Sequence, residues 1–95
     1  MIVGTVEIRL HLHDARTLKD KRRILLSLKD RLRNNFNVSV AEVEGQDLIQ
    51  SAEIAVVQVS GDARYVRGAL EQVVQAVRRL RDAQLTDYSI EILHQ

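Results

Sequence analysis

The sequence predicts an α+β fold of one antiparallel sheet and two helices, in the order β-α-β-β-α-β. Three observations carry this prediction. Both ends of the chain alternate apolar and polar residues with a period of two, two central segments repeat apolar residues every three or four positions, and a valine-rich stretch broken by one turn lies between them. The 95 residues amount to a single domain spanning 1–95, with an apolar fraction of 45% and a charged fraction of 28%, as ordinary globular domains have.

The first strand covers residues 2–12. Ile2, Gly4, Val6, Ile8, Leu10 and Leu12 fall on one face, and Val3, Thr5, Glu7, Arg9 and His11 on the other. Thr17, with Asp20 three places on, opens a helix by a capping box in which Asp replaces the usual Glu. Leu18, Leu25, Leu28, Leu32 and Phe36 make residues 18–35 amphipathic, and Asn34, Asn35 and Asn37 mark the end. Residues 37–44 form the second strand, Gly45-Gln46-Asp47 begins a turn, and 52–59 form the third strand. Ser60-Gly61-Asp62 interrupts the chain, with Asp62 as N-cap. Val66, Ala69, Leu70, Val73, Val77 and Leu80 define a second helix running to about residue 82, with Gly68 given a helix-packing role. The last strand, near 85–93, alternates Tyr88, Ile90 and Ile92 with Asp87, Ser89 and Glu91. Right-handed crossovers then favour the ferredoxin-like sandwich, with sheet order 4-1-3-2 and both helices on one face.

Several functions are disfavoured at once. Without cysteine there is no thiolate metal site and no cysteine nucleophile. No apolar run suits a membrane helix and no signal peptide opens the chain, so a cytoplasmic protein with no membrane partner is expected. His11 and His13 share a direction with Asp14 following, yet a metal site usually needs three or more ligands. No serine or threonine stands in a nucleophile motif, and no glycine-rich phosphate loop follows a strand. The expectation is a protein with no catalytic residues, no metal and no cofactor.

Charge is segregated. Arg16, Lys19, Lys21, Arg22, Arg23, Lys29, Arg31 and Arg33 face only Asp20 and Asp30 in the same stretch, and residues 37–62 carry acids and no base. Arg64, Arg67, Arg78, Arg79 and Arg81 then outnumber Glu71 and Asp82. The net charge of +1 therefore sums two basic helices and one acidic hairpin. On a helical wheel Arg22, Leu26, Lys29 and Arg33 share a flank of the first helix with Lys19 beside them, and Arg67, Val74, Arg78 and Arg81 form a similar flank of the second near Glu71. Such flanks can grip a phosphate backbone without sequence preference, or simply be solvated helix faces.

The topology also gathers His11, His13, Lys19, Lys21, Arg22, Asp47, Gln50, Arg78 and Arg81 at one edge. Lys21 lies on the core-facing side of its helix. It must snorkel, pair with an acid such as Asp47, or bind something. With free amides at the helix start, Lys19, Lys21 and Arg22 can hold a phosphate. The alternative is a Lys21–Asp47 or Arg22–Asp47 pair that pins the hairpin to the helix. Glu42 and Glu44 are placed on one strand face, as a possible acid pair or as solvated edge charges. Phe36, Tyr65 and Tyr88 are assigned to core-like positions, which leaves no aromatic to stack bases on the open sheet. The third strand is apolar on both faces, so one apolar face points away from the helices. A homodimer is the simplest cover.

Thr17 to Arg23, Arg31 to Glu42, Asp47, and Gln50-Ser51-Ala52 together resemble the YlxP-like family, a bacterial domain of unknown function. The family usually has serine at the position of Thr17 and often tryptophan at that of Ile49. The resemblance implies a ferredoxin-like fold. It also implies a gene set among those for transcription elongation, translation initiation and ribosome maturation, and it brings no catalytic residues. Two expectations follow. One is a non-enzymatic accessory protein that meets RNA or a ribosomal subunit through Lys19, Lys21, Arg22, Lys29, Arg33, Arg78 and Arg81. The other is an oligomeric protein-interaction or regulatory module that uses the open sheet face.

Overall fold

A computed structural model describes residues 1–95. The elements are β1 (Ile2–His11), α1 (Leu18–Asn35), β2 (Ser39–Glu44), β3 (Ser51–Ser60), α2 (Ala63–Arg78) and β4 (Gln84–His94). Every strand pair is antiparallel and the sheet order is β2-β3-β1-β4, the 4-1-3-2 arrangement read from its other end.

The period of two in β1 sets the two faces of the sheet. Ile2, Gly4, Val6, Ile8 and Leu10 are buried under the helices, while Glu7 and Arg9 lie open. Register carries this division across the sheet. Val6, Ile8 and Leu10 stand opposite Val56, Ile54 and Ala52 of β3, while Val3, Thr5 and Glu7 stand opposite Val59, Val57 and Ala55. The open face is thus apolar at the Val3 end and charged at the Arg9 end. Gln58, opposite Gly4, faces the helices and is buried.

Leu25, Leu28 and Leu32 of α1 and Val66, Leu70, Val73, Val74 and Val77 of α2 fill the space above the sheet in one continuous core. Gly4 lets α2 approach. A Cβ there would overlap Val66 and come within 2.8 Å of a Leu70 methyl. Gly68, in contrast, has nothing within 4 Å of a built Cβ and is exposed. Its predicted packing role is therefore corrected: it lies on the solvent side of α2.

Three other expectations change. The second helix ends at Arg78 rather than near 82. Arg79 caps it, donating to the Ala76 and Val77 carbonyls, and Leu80 donates to Val77 in a tightened last turn. The apolar period continued to Leu80 because that side chain still packs on the core from beyond the helix. A bulge in β2 falls between Glu42 and Glu44. It places an extra residue, Val43, on the outer strand, so Glu44 turns to the open face while Glu42 stays under the helices with Val40, and they are no acid pair. A second irregularity interrupts β4 opposite Arg9 and Leu10. Finally, Tyr65 and Tyr88 are 60% and 41% exposed, not core residues, although Phe36 does pack against the core. No helix is long and apolar enough to cross a membrane.

Candidate phosphate-binding surface of the helical layer

α1 begins where Thr17 stops extended backbone. Its hydroxyl accepts the Asp20 amide at 3.1 Å, and the Asp20 carboxylate accepts the amides of Arg16 at 3.0 Å and Thr17 at 3.2 Å. Both halves of the capping box form, as the spacing predicts. The consequence runs against a phosphate site here. An internal carboxylate already sits on the positive end of the helix, where an external anion would have to go. Those bonds hold the Asp20 carboxyl below the usual carboxylate range. The Arg16 amide contributes most, with the Thr17 amide and hydroxyl and the Arg23 charge adding and desolvation opposing.

Lys21 heads the buried stripe of α1 that continues as Leu25, Leu28 and Leu32. It is only 2% exposed. Its ammonium donates to the carbonyls of Gly45 and Leu48, both at 2.6 Å, and sits 2.8 Å from Glu42 Oε2. The contact with Glu42 is an ion pair rather than an aligned hydrogen bond. Lys21 is accordingly a fastening inside the fold, with no donor left for a phosphate. Its acid is Glu42 rather than Asp47, because Glu42, two residues after buried Val40 and opposite Ile54, faces the helices, while Asp47 lies exposed in the turn and takes part in no ion pair. Gln50 does join the hairpin to the β1–α1 connection. Its Nε2 donates to the Ala15 carbonyl at 3.0 Å and, more weakly, to that of His13 at 3.4 Å, and its own carbonyl accepts from the Leu12 amide.

The remaining predicted cations divide by what they touch. Arg33 donates to the Val40 carbonyl on β2 at 3.0 Å, which leaves it partly committed to the sheet edge. Lys19 and Arg22 are exposed and Lys29 half-buried, and none of the three meets an acid. Arg78 lies over the Tyr88 ring, 5.6 Å from its centroid. With His13 and Arg81 it lines a cleft beside β4.

Arg81 also lines a second cleft, between α1 and the turn after α2, of about 260 Å³. Its floor is Ile24, Leu28, Leu80 and Ala83, and Arg31, Arg79, Arg81 and Asp82 surround it together with Ser27. Arg31 and Arg79 stood outside the residues chosen from the sequence. Arg31 follows Ile24 and Leu28 at helical spacing and could have been placed on the flank facing the second helix. Arg79 was hidden by reading the helix through to 82, which made it one more residue of a solvated turn.

One pattern covers the whole layer. The ion pairs in the structure are Arg9–Glu53, His13–Asp14 and Lys21–Glu42. Apart from Lys21, no lysine or arginine of α1, α2 or the turn after α2 has an acid within pairing distance. Two of the acids nearby, Asp20 and Asp62, accept backbone amides as helix caps, and Asp30, Glu71 and Asp82 pair with none of these cations. The open sheet face carries the opposite sign, with Glu7, Glu44, Glu53, Asp87 and Glu91 against Arg9. No group of three or more His, Cys, Asp or Glu side chains gathers where a metal ion could be held.

Comparison with known proteins assigns a family and attaches no activity to it. Residues 3–90 match the family described as "Protein of unknown function (DUF503)". Over 73 residues the chain is 32% identical to the "Uncharacterized protein YlxP" of Bacillus subtilis (strain 168), covering 77% of this chain and 79% of that protein. The family match spans both helices and all four strands, and on it and the identity the chain belongs to the YlxP-like DUF503 family of proteins of unknown function.

Proposed function

We propose that the protein is a non-enzymatic accessory that binds RNA, free or within a ribosomal subunit, by laying its helical layer on the phosphate backbone. One observation carries the reading: apart from Lys21, the basic residues of that layer form no ion pair and outnumber its acids, of which Asp20 and Asp62 serve as caps, while the open sheet face is acidic. Unpaired surface cations at near-zero net charge hold a field of one sign on one side of the molecule. Phosphates meeting Lys19, Arg22, Lys29, Arg31, Arg79 and Arg81 would release counterions, so binding should be strongly salt-dependent and insensitive to sequence. The open sheet offers no aromatic on β1 or β3 for base stacking, which favours the helical side.

A filter-binding titration with structured ribosomal RNA at several salt concentrations tests this. Affinity should fall steeply with salt. Arg22→Glu with Lys29→Glu should lower the log–log slope by about 1.4 to 1.8, each lost phosphate contact being worth roughly 0.7–0.9. Absence of binding near physiological salt, or an unchanged slope in the double variant, overturns the reading.

A separate observation favours a second reading. Val59 is 56% exposed on the open face and continues into Val3, Val57 and Leu93 across neighbouring strands. A second copy covering this patch by two-fold symmetry is the simplest partner. Light scattering at high concentration discriminates: a dimer that Val59→Lys separates supports it, and a strict monomer removes it.

A further inference from the structure

The cleft between α1 and the turn after α2 has the wrong contents for a solvated surface hollow. None of the Arg31, Arg79 and Arg81 guanidiniums makes an ion pair or donates a hydrogen bond to the protein, although each carries five donors. They surround a floor of Ile24, Leu28, Leu80 and Ala83, of which Leu28 and Ala83 are buried core residues. Cations ordinarily approach such a floor only to cover it with their stems. Here Ile24 and Leu80 remain partly exposed at the bottom of a cleft. The one acid in the lining, Asp82, is unpaired as well.

Three fork-shaped donors, one carboxylate and an apolar floor define complementary chemistry. The guanidiniums match a phosphate, which they can hold bidentately. A carboxylate beside them suits a neutral donor such as a sugar hydroxyl, since a second anion would be repelled. The floor suits a flat, weakly polar ring. At about 260 Å³ the cleft lies below the common ligand range of about 300–1,000 Å³, too small for a dinucleotide cofactor. The other places where cations meet anions or amides are already filled: the start of α1 by Asp20, and Lys21 by Glu42 and two carbonyls.

We propose that this cleft holds one ribonucleotide unit, its phosphate on Arg31, Arg79 and Arg81, its sugar hydroxyls toward Asp82, and its base against Ile24, Leu28 and Leu80. The choice of a nucleotide rests on the RNA reading above; the place rests on the cleft. Within a bound RNA this unit would be a terminal or extruded nucleotide, so the helical layer would grip one residue in a defined seat and the rest by charge.

The full chain, labelled with ¹⁵N, should be titrated with AMP, deoxy-AMP and inorganic phosphate at one ionic strength. AMP should shift the amides of Ile24, Leu28, Leu80 and Ala83. Phosphate should bind about tenfold more weakly, and deoxy-AMP several-fold more weakly than AMP. Arg31→Gln with Arg81→Gln should cost at least about tenfold in AMP affinity, which is about 1.4 kcal/mol, and Asp82→Asn should narrow the preference for ribose. Equal binding of AMP and phosphate, or shifts that bypass these amides, overturns the proposal. RNA binding that persists without any AMP response removes the cleft and leaves the backbone reading. AMP binding without RNA binding does the reverse.

Discussion

Lys21 sets the first lesson, at the scale of a residue. Its position on the helical wheel was enough to show that it must be buried or bound, and its partner, Glu42, is the acid that the period of two from Val40 brings to the helix side of β2. Removing the ammonium would leave the Glu42 carboxylate and two carbonyls without their donor. Lys21→Met should therefore cost about 3–5 kcal/mol, as breaking a buried pair does, seen as a lower urea midpoint at unchanged slope. Glu42→Gln should cost less, because Lys21 keeps both carbonyls. Equal losses would mean the ion pair, rather than the ammonium's bonds to the hairpin turn, dominates. Asp20 gives the pH dependence. Its carboxyl is lowered in the folded protein, so its contribution is present above the ordinary carboxylate range and is lost as pH falls through the lowered value. In acid titrations of stability, Asp20→Asn should flatten the fall below about pH 4, the ordinary carboxylate range. A curve parallel to the parent would remove Asp20 from the acid limb.

At the scale of elements, a glycine under α2 and one on its solvent side should respond oppositely. Gly68→Ala fills empty space in a helix interior and should stabilise by about 0.5–1 kcal/mol. Gly4→Ala drives a methyl into Val66 and Leu70 and should destabilise by about 1–3 kcal/mol or more. Thermal melts of the two variants should move in opposite directions. The elements themselves were legible because each announces itself locally. Residues 18–35 appear as a helix with the predicted limits, since both its cap and its apolar stripe are written in sequence. The second helix was read four residues too long, since Leu80 keeps the apolar period while leaving the helix. Tyr65 and Tyr88 were misplaced for a related reason. Aromatic residues at apolar-looking spacing say nothing of which side of an edge strand or first helical turn remains uncovered.

At the scale of the whole molecule, a net charge of +1 conceals a basic helical side and an acidic sheet side. That division was legible along the chain, because the helices and the hairpin carry their charges in separate runs. What the sequence left open was which cations remain free, since Lys21 and Arg33 are committed by tertiary contacts and Arg31 and Arg79 are brought together by a turn. The division predicts chromatographic behaviour that the total charge does not. At neutral pH and low salt the protein should be held by a sulfonate resin more firmly than a singly charged protein of its size, and Arg22→Glu with Arg31→Glu should release it early. Elution in the void would mean that the sheet acids cancel the helical field. The two irregular strands bear on assembly as well. β2 and β4 form the two margins of the sheet, and each is interrupted, β2 after Glu42 and β4 opposite Arg9 and Leu10. A margin broken in this way offers a poor template for a neighbouring strand. The interruptions disfavour lateral growth on both sides, and copies of the protein that associate through the sheet should stack as layers rather than extend as a ribbon.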